Sequence, residues 1–279
     1  MSDAPTVVLS ASKTGRRWWI PLVAALAAGL AIFSVRPHPT GAPAAGTASR
    51  GAQPMAGNDV SDALVVIDAT IHVTPSRTVS GDLRAEDGRI TYVGPRGRES
   101  RPARARVIEA HGAFVVPLLV DTALRARPED RRDASDLAPG NAATFAVTRE
   151  RVSESRIRQM LVLQPHDLLA AVVSGHVEAW QGEPTRPAGT PAAGLRRWRG
   201  VWVDDSRELA QHLLLDGRYT ETRHGRTDAY TGRYWVHEDR ITYLDDSGFW
   251  AFGELVDGVL HHAGFVMHKR PAPGWPGRS

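Results

Sequence analysis

The stretch 197–270 constrains the fold of this chain most strongly. Short alternations of apolar or aromatic residues with polar ones are interrupted by the turn sequences Asp216-Gly217, Asp245-Asp246-Ser247-Gly248 and Asp257-Gly258. Alternation with a period of two is typical of strands that bury one face, and Asp-Gly favours two-residue hairpin turns of type I′. The pattern predicts a small antiparallel β-barrel, because closure removes the unpaired edges of such a meander.

The predicted strands of this barrel are short, and no long helix interrupts them. They cover residues 200–203, 210–215, 218–223, 229–237, 240–245 and 249–255, with 259–270 forming one or two more. We expect type I′ turns at Asp216-Gly217 and at Asp257-Gly258, since both pairs lie between two predicted strands.

The same stretch resembles a family of small bacterial streptavidin-like domains of unknown function, the agrobacterial type. The resemblance rests on Gly200-x-Trp202, Leu214-x-Asp216-Gly217-Arg218-Tyr219, Tyr230-x-Gly232-Arg233-Tyr234, Tyr243-x-Asp245-Asp246-Ser247-Gly248-Phe249 and the run from Asp257 to Gly264. It implies a streptavidin-like barrel with a ligand pocket. It implies no particular ligand, because the family is characterised more by its structure than by its biochemistry.

Small barrels of this kind can hold one ligand among aromatic side chains and a few convergent polar groups. The candidate ligand-binding residues are Trp202, His212, Tyr230, Arg233, Tyr243, Asp245, Phe249 and His261. For Trp202 the alternative is a plug at the closed barrel end, stacked by Lys269 or Arg270 as in calycins. Neighbours in a strand face opposite sides, so only one residue of Tyr234-Trp235 and one of His261-His262 can line the interior.

The sequence predicts no catalytic residue, no metal site and no cofactor. His212, His261 and His262 with Asp245 or Asp246 lack the ligand spacing of a metal centre. The run Asp245-Asp246-Ser247-Gly248 is predicted as turn chemistry, in which Asp side chains accept hydrogen bonds from nearby backbone N–H groups.

The N-terminus predicts a membrane anchor. Residues 18–35 are uncharged and largely apolar and follow Lys13, Arg16 and Arg17. A spanning helix needs roughly 20 such residues, and flanking basic residues stay cytoplasmic. We expect 1–17 in the cytoplasm, 18–35 across the membrane, and the remainder outside. The alternative is a signal peptide cleaved near 46–48, after which the protein is secreted.

Residues 61–180 resemble the composite β-sandwich of the amidohydrolase superfamily of metal-dependent hydrolases. The first part of that sandwich is matched by Glu86-Asp87-Gly88-Arg89-Ile90, Val93-Gly94, Val107-Ile108-Glu109-Ala110 and Pro117 to Asp121. The closing part is matched by Leu137-Ala138-Pro139-Gly140, Ala143, Phe145, Val147 and Ala171 to Val177. The resemblance implies a β-sandwich built from the two ends of the family's fold. An unrelated β-domain of similar texture is the alternative.

Two departures from that family argue against catalysis. The family places a metal-binding His-x-His directly after the residue matched by Asp121, where this chain has Thr122-Ala123-Leu124. The family also inserts a catalytic (β/α)₈ barrel, which needs about 250 residues, where this chain has only 122–133. The sequence therefore predicts a barrel-less, non-catalytic module. Within it, Asp87-Gly88 is predicted to form a hairpin turn between strands 82–85 and 89–93, and 153–160 to form a helical turn or an irregular crossing.

Pro, Gly and Ala mark the remaining segments. Residues 36–60 are predicted to be a disordered spacer, 181–195 a linker and 271–279 a disordered tail, with the streptavidin-like barrel at 196–270. The net charge is only +3 and no basic stripe occurs, which excludes a nucleic-acid partner, and the absence of cysteine excludes disulfides.

Three functions remain open from sequence. The first is a membrane-anchored extracytoplasmic module that binds a small molecule in its barrel. The second is a structural or protein-interaction module whose barrel is filled by its own side chains. The third, disfavoured, is an amidohydrolase-type hydrolase of non-peptide C–N bonds, which predicts bound zinc.

Overall fold

A computed structural model describes residues 63–97, 105–159, 161–187 and 194–270. The predicted segments 1–17, 18–35, 36–60 and 271–279 lie outside the described residues. Within the described ranges, no helix combines the length and the apolar character that crossing a bilayer requires. The α-helices of these ranges are α1 (Asp121–Ala126), α2 (Glu154–Gln159) and α3 (Leu195–Trp198). The structure is otherwise mainly β.

The first nine strands form one hydrogen-bonded sheet, here called the sheet module. They are β1 (Ala63–His72), β2 (Thr78–Glu86), β3 (Arg89–Gly94), β4 (Arg106–Glu109), β5 (Phe114–Pro117), β6 (Phe145–Thr148), β7 (Leu168–Val173), β8 (His176–Trp180) and β9 (Glu183–Pro184). Their order is β3-β2-β1-β5-β6-β7-β8-β9, and β4 pairs in parallel with the first half of β1. The two halves of the module join through the antiparallel pair β5 and β6.

This sheet curls, so that strands far apart in its order meet. The β2–β3 turn touches the β7–β8 turn, since a Cβ added at Gly88 would lie 2.7 Å from the carbonyl oxygen of Ser174. The curl encloses a core that includes Val66, Ile71, Leu83, Ile108, Val115, Phe145 and Val172. The prediction of a mainly β module is confirmed, but its strands belong to one curled sheet and not to two separate hydrogen-bonded sheets.

Two local predictions in the sheet module are confirmed, a hairpin turn and a helical turn. Asp87 and Gly88 have φ of 49° and 75°, as the predicted β2–β3 hairpin requires. The predicted helical turn at 153–160 is α2. Residues 122–133 stand where the amidohydrolase resemblance would place a catalytic barrel. They belong to α1 and to a 3₁₀ segment, Glu129–Ser135, except for residues 127 and 128, which connect the two.

The last eight strands form a closed antiparallel barrel, as predicted. They are β10 (Gly200–Asp204), β11 (Leu209–Leu213), β12 (Arg218–Arg223), β13 (Arg226–His237), β14 (Arg240–Asp245), β15 (Trp250–Val256), β16 (Val259–His262) and β17 (Phe265–Lys269). Each pairs with the next, and β17 returns to β10 through Trp202–Lys269 and Val203–His268. The stretch 259–270 holds two strands, because Ala263 and Gly264 turn the chain with φ of 51° and 80°.

One of the two predicted Asp-Gly turns is correct and the other is wrong. Asp257 and Gly258 both have positive φ, 48° and 81°, which type I′ requires. At Asp216-Gly217 only the glycine does, with φ of 79°. The chain turns over Leu214–Gly217 instead, and Asp216 Oδ1 accepts a 2.9 Å hydrogen bond from the Arg218 backbone N–H. That local side-chain bond stabilises a different turn type.

The outer face of the barrel packs on the sheet module. A single apolar cluster, here called the junction, contains Val116, Leu119, Ile157, Leu168 and Ala171 from the sheet module and Trp235, Leu244, Trp250 and Phe252 from the barrel. Leu163 and Trp250 exchange two backbone hydrogen bonds of 2.9 and 2.8 Å. Of the predicted linker 181–195, residues 181–187 include β9 and extend the sheet, and Leu195 begins α3. The two β structures thus share a buried core.

Candidate functional site

The lumen of the barrel is lined by alternate residues of its strands, as β geometry requires. In β14, Ile241, Tyr243 and Asp245 face inward while Leu244 packs on the junction. The inward set also includes Leu209, Gln211, Leu213, Tyr219, Glu221, Arg223, Tyr234, Ala251, Leu260, His262, Phe265 and Met267. The lumen therefore combines aromatic side chains with several polar ones.

One end of the barrel is closed by α3. Trp198 and Trp202 are fully buried there, and Trp202 Nε1 donates a 2.7 Å hydrogen bond to the Trp198 carbonyl oxygen. Lys269 Nζ lies 5.5 Å from the centroid of the Trp202 ring and donates to the Arg197 carbonyl oxygen. Burial lowers the pKa of this Lys269 ammonium. Trp202 is thus the plug of the closed end.

A row of hydrogen-bonded polar side chains runs through the lumen. The carboxylate of Glu221, a residue only 2% exposed, accepts a 2.8 Å hydrogen bond at Oε1 from Gln211 Nε2. Gln211 Oε1 in turn accepts a 2.8 Å hydrogen bond from the Tyr243 hydroxyl. Burial and then the nearby Glu221 charge raise the pKa of Tyr243 well above its ordinary value. The phenol therefore stays protonated and remains a donor.

A second phenol–carboxylate pair lies beside this row. The Tyr219 hydroxyl donates a 3.0 Å hydrogen bond to Asp245 Oδ2, and the Tyr219 and Tyr243 rings meet edge to face at 5.1 Å. Burial, followed by the Asp245 charge, raises the pKa of Tyr219. Asp245 Oδ1 accepts a 2.8 Å hydrogen bond from the Ser247 backbone N–H. Asp245 thus combines the predicted turn chemistry with a contact inside the barrel.

The imidazole of His262 packs beside Tyr243 in the lumen. The His262 ring lies 4.4 Å from the Tyr243 ring, and His262 Nδ1 is 3.2 Å from the Phe252 carbonyl oxygen. Burial lowers the pKa of His262, and the Glu221 charge opposes that shift.

The end opposite α3 is here called the mouth, and it is formed by Arg223, Tyr230, Phe249 and Phe265. The Arg223 guanidinium carbon lies 4.4 Å from the Tyr230 ring centroid and 5.1 Å from that of Phe265. Tyr230 and Phe249 meet edge to face at 5.9 Å. Arg223 Nε donates a 2.8 Å hydrogen bond to Glu221 Oε2. The mouth is thus an aromatic rim with a guanidinium over the buried carboxylate.

Comparison with known proteins assigns the barrel. The family model described as Agrobacterium tumefaciens protein Atu4866 matches residues 196–269. The solution structure of Atu4866 from Agrobacterium tumefaciens is 42% identical, and the match covers 26% of this chain and 94% of that protein, with a TM-score of 0.25. The chain belongs, through its C-terminal barrel, to the Atu4866 family. This assignment rests on the sequence match over nearly the whole of that protein. No curated protein matches the chain.

The Atu4866-type barrel brings four of the eight candidate residues to the lumen or the mouth. Tyr243 belongs to the polar row, Asp245 accepts from Tyr219, and Tyr230 and Phe249 form part of the rim. Trp202 is also inside but lies at the closed end. Trp202, Tyr230, Tyr243 and Asp245 agree with the alternation of their strands, and Phe249 lies in the connection just before β15.

The other three candidates point away from the lumen. His212 alternates with the inward residues Gln211 and Leu213. Arg233 lies on the outer face with its guanidinium carbon 5.8 Å from the Trp235 ring. His261 is only 4% exposed because the barrel packs on the sheet module, and its Nδ1 has no hydrogen-bond partner among the described residues. The histidine that faces the lumen is His262.

Arg233 and Asp245 line a shallow depression where the Atu4866-type barrel meets the sheet module. It has a volume of about 210 Å³ and is also lined by Pro165, Gly182, Glu183, Leu244, Asp246 and Gly248. Asp246 is held by Arg218, whose hydrogen bond lowers the pKa of that carboxyl to about 2. The depression is polar and open, and it shares only Asp245 with the lumen.

Three polar lumen residues, Gln211, Glu221 and Arg223, are absent from the candidates predicted from sequence, and of the pair His261-His262 the candidate set holds the residue that faces outward. Their signal was the strand period itself, because residues 219, 221 and 223 share one face of β12. In β12 the aromatic Tyr219 is followed, at steps of two, by the carboxylate of Glu221 and the guanidinium of Arg223.

A buried charge cluster fixes the barrel to α1. Glu254, whose side chain is 4% exposed, pairs with Arg127 and, at 3.2 Å, with Arg240. Arg240 also donates a 3.0 Å hydrogen bond to the Leu118 carbonyl oxygen. Burial and the neighbouring Arg127 lower the pKa of Arg240 to about 9. In the part of the chain that the structure describes, no group of three or more His, Asp or Glu could hold a metal ion.

Proposed function

We propose that the Atu4866-type barrel binds a small molecule at its mouth. The observation that carries the proposal is the row Glu221–Gln211–Tyr243 lying beneath the aromatic rim of Tyr230 and Phe265. Aromatic side chains combined with a few fixed polar groups are the usual composition of small-molecule sites.

Energetic considerations favour binding over a purely structural barrel. Burial of a carboxylate is unfavourable unless it is paired and hydrogen-bonded, and apolar replacement of a buried ion pair is often neutral or stabilising. A barrel that needed only stability would do as well with aliphatic residues at 211, 221 and 223. The polar row is therefore best explained by recognition.

The sheet module is proposed to be a non-catalytic support for the barrel. Its resemblance to the amidohydrolase composite domain supports this, since Thr122-Ala123-Leu124 stand where the family has its His-x-His. These residues lie in α1, and the next residues carry Arg127 to the Glu254 carboxylate of the barrel. In this proposal, the short segment 122–133, found where the amidohydrolase family has its catalytic barrel, helps to attach the C-terminal barrel through Arg127.

Residues 18–35 are proposed to anchor the protein, with the binding barrel outside the cytoplasm. Extraction at alkaline pH tests this, because an integral anchor stays in the membrane pellet. Release of the intact chain into the supernatant would contradict the anchor. Protease added to intact spheroplasts should remove the barrel, and full protection would contradict its location.

A filled barrel that serves as a structural or interaction module is the second candidate. It is supported by the mutual satisfaction of the polar groups, because Glu221, Gln211 and Tyr243 already bond to one another. This candidate predicts that no small molecule enters the mouth.

Calorimetric titration of the full-length protein separates the two candidates. The probes are benzamidine, benzamide and benzoate, which share one shape and differ in charge. We expect at least one to bind, and Tyr230→Ala to weaken it by about tenfold through loss of ring contacts. His212→Ala, on the outer face, is the matched control and should leave binding unchanged. No binding by any probe, or an equal loss in both variants, would contradict the proposal.

A further inference from the structure

The side chain of Arg223 crosses the mouth of the barrel. Arg223 lies at the end of β12, next to Tyr230 on β13, but Phe265 lies on β17, from which β12 is separated by β11 and β10. Its guanidinium is nevertheless within 5.1 Å of the Phe265 ring centroid and 4.4 Å of that of Tyr230. The guanidinium therefore lies between two rings that belong to different sides of the barrel.

On its inner side, the Arg223 guanidinium contacts the carboxylate of Glu221. Arg223 Nε and Nη2 lie 2.8 and 2.7 Å from Glu221 Oε2, while the other carboxylate oxygen accepts from Gln211. The side chain of Glu221 is 2% exposed and that of Arg223 is 25% exposed. The cation is thus the outermost member of the polar row, and the carboxylate is sealed behind it.

These contacts have the form of a cation-recognition site. A planar cation flanked by aromatic faces gains from the ring quadrupoles, and a guanidinium forms charge-assisted hydrogen bonds to a carboxylate. In this barrel the occupant is supplied by the chain itself. Arg223 immediately precedes the His224-Gly225 turn, so rotation about its own side-chain bonds takes the guanidinium into solvent without a change in the strand.

We propose that Arg223 is an internal occupant of a site for a planar cationic group, a guanidinium or an amidinium, carried by a small molecule. The ligand displaces the Arg223 guanidinium into solvent, stacks between Tyr230 and Phe265, and pairs with Glu221. Gln211 and Tyr243 hold the carboxylate in place. This inference rests on the proposed function and specifies its ligand class.

Removal of the internal occupant provides the first test. Benzamidine, benzamide and benzoate are titrated into the full-length Arg223→Ala protein and followed by thermal shift and calorimetry. Benzamidine should bind about tenfold or more tightly than to the wild type, which must first release Arg223, and about tenfold or more tightly than neutral benzamide. Adding Glu221→Gln should abolish that preference, because the charge that selects the cation is gone.

The wild-type protein provides a second test that does not depend on the folding of a variant. The side-chain Nε–H of Arg223 is followed by ¹⁵N NMR during benzamidine titration. Displacement should move its resonance toward that of solvent-exposed arginines, with loss of protection from solvent exchange. An unchanged Nε–H resonance at saturating benzamidine would overturn the inference.

The remaining outcomes separate this inference from the proposed function. Tightest binding of benzoate to the wild type, lost in Arg223→Ala, would show that Arg223 itself recognises an anion. That result overturns the cation inference and leaves a ligand-binding mouth. Equal binding of benzamidine and benzamide to Arg223→Ala would do the same. Failure of all three probes to bind either protein would overturn both proposals.

Discussion

The guanidinium of Arg223 rests on the carboxylate of Glu221, two positions earlier in the same strand, with Nε 2.8 Å from Oε2. Because residues i and i+2 share one face of a strand, the pair needs no long-range event to meet. The fold of the barrel then adds two contacts to this pair. Gln211 of β11 donates a hydrogen bond to Glu221, and Phe265 of β17 packs against Arg223 across the mouth. A local sequence pattern thus becomes a site only when the strands close.

Tyr219→Phe should destabilise the protein by about 1–3 kcal/mol, because it removes a buried donor from Asp245 Oδ2. Tyr234→Phe is the matched control. Its hydroxyl donates to the Leu214 carbonyl oxygen in a partly buried position, so its loss should cost only about 0.5–1.5 kcal/mol. Urea unfolding of both variants measures the difference. Equal losses would show that the Tyr219–Asp245 hydrogen bond contributes no more stability than the Tyr234–Leu214 hydrogen bond.

Glu254→Gln should cost about 3–5 kcal/mol, because it leaves Arg127 and Arg240 buried without a carboxylate. The comparison is Asp246→Asn, which breaks the exposed ion pair with Arg218 and should cost less than about 1 kcal/mol. Chemical unfolding at constant ionic strength gives both values. A small effect at 254 would mean that solvent reaches the cluster and screens it.

Trp250→Ala should destabilise the sheet module and the barrel together, by about 3–5 kcal/mol, because Trp250 is fully buried in the core that they share. Leu214→Ala, at a position 43% exposed, serves as the control and should stay within about 0.5 kcal/mol. Hydrogen exchange read separately for 63–184 and 200–269 shows whether both parts lose protection. Loss confined to the barrel would contradict a shared core.

Acidification should weaken the fold in part through His262. Burial lowers its pKa in the folded state below the ordinary 6.5, so near and below pH 6.5 the unfolded chain binds a proton that the folded chain does not. Stability therefore falls as the pH drops from about 7 to about 5, by at most about 1.4 kcal/mol per pH unit from this residue.

The His262→Gln variant isolates that contribution. His72, His176, His237 and His261, whose pKa values are also lowered mainly by burial, remain in both proteins and cancel in the difference. The free energy of unfolding of the variant should decline less steeply with acid than that of the wild type. Parallel pH curves would show that His262 does not titrate differently on folding.

Much of the barrel could be predicted from sequence because its information is local. Alternation identified the strands, and 218–223 and 240–245 match β12 and β14 at both ends. Asp257-Gly258 and Asp87-Gly88 specify their turns because both residues of each pair adopt positive φ. The type I′ prediction at Asp216-Gly217 is wrong, because the same dipeptide also suits a longer turn in which only the glycine has positive φ.

The site was harder to predict, because the role of a side chain depends on what covers the inner and the outer face of its barrel strand. Tyr234 and Trp235 are both aromatic, and only the presence of the sheet module makes one a lumen residue and the other a junction residue. His261 and His262 differ for the same reason. Nothing in residues 200–270 alone indicates that the outside of β15 and β16 is buried, so aromatic content could not separate ligand contacts from packing contacts.

Chemical-shift mapping on the ¹⁵N-labelled full-length wild-type protein tests the central claim, that the barrel binds a small molecule at its mouth. Benzamidine, benzamide and benzoate are titrated separately, and the backbone amides that move are located. Binding should shift the amides around Glu221, Arg223, Tyr230 and Phe265 and leave those of α3 at the closed end unchanged. Absence of any saturable shift, or shifts confined to α3 and the outer face of the barrel, would contradict the claim.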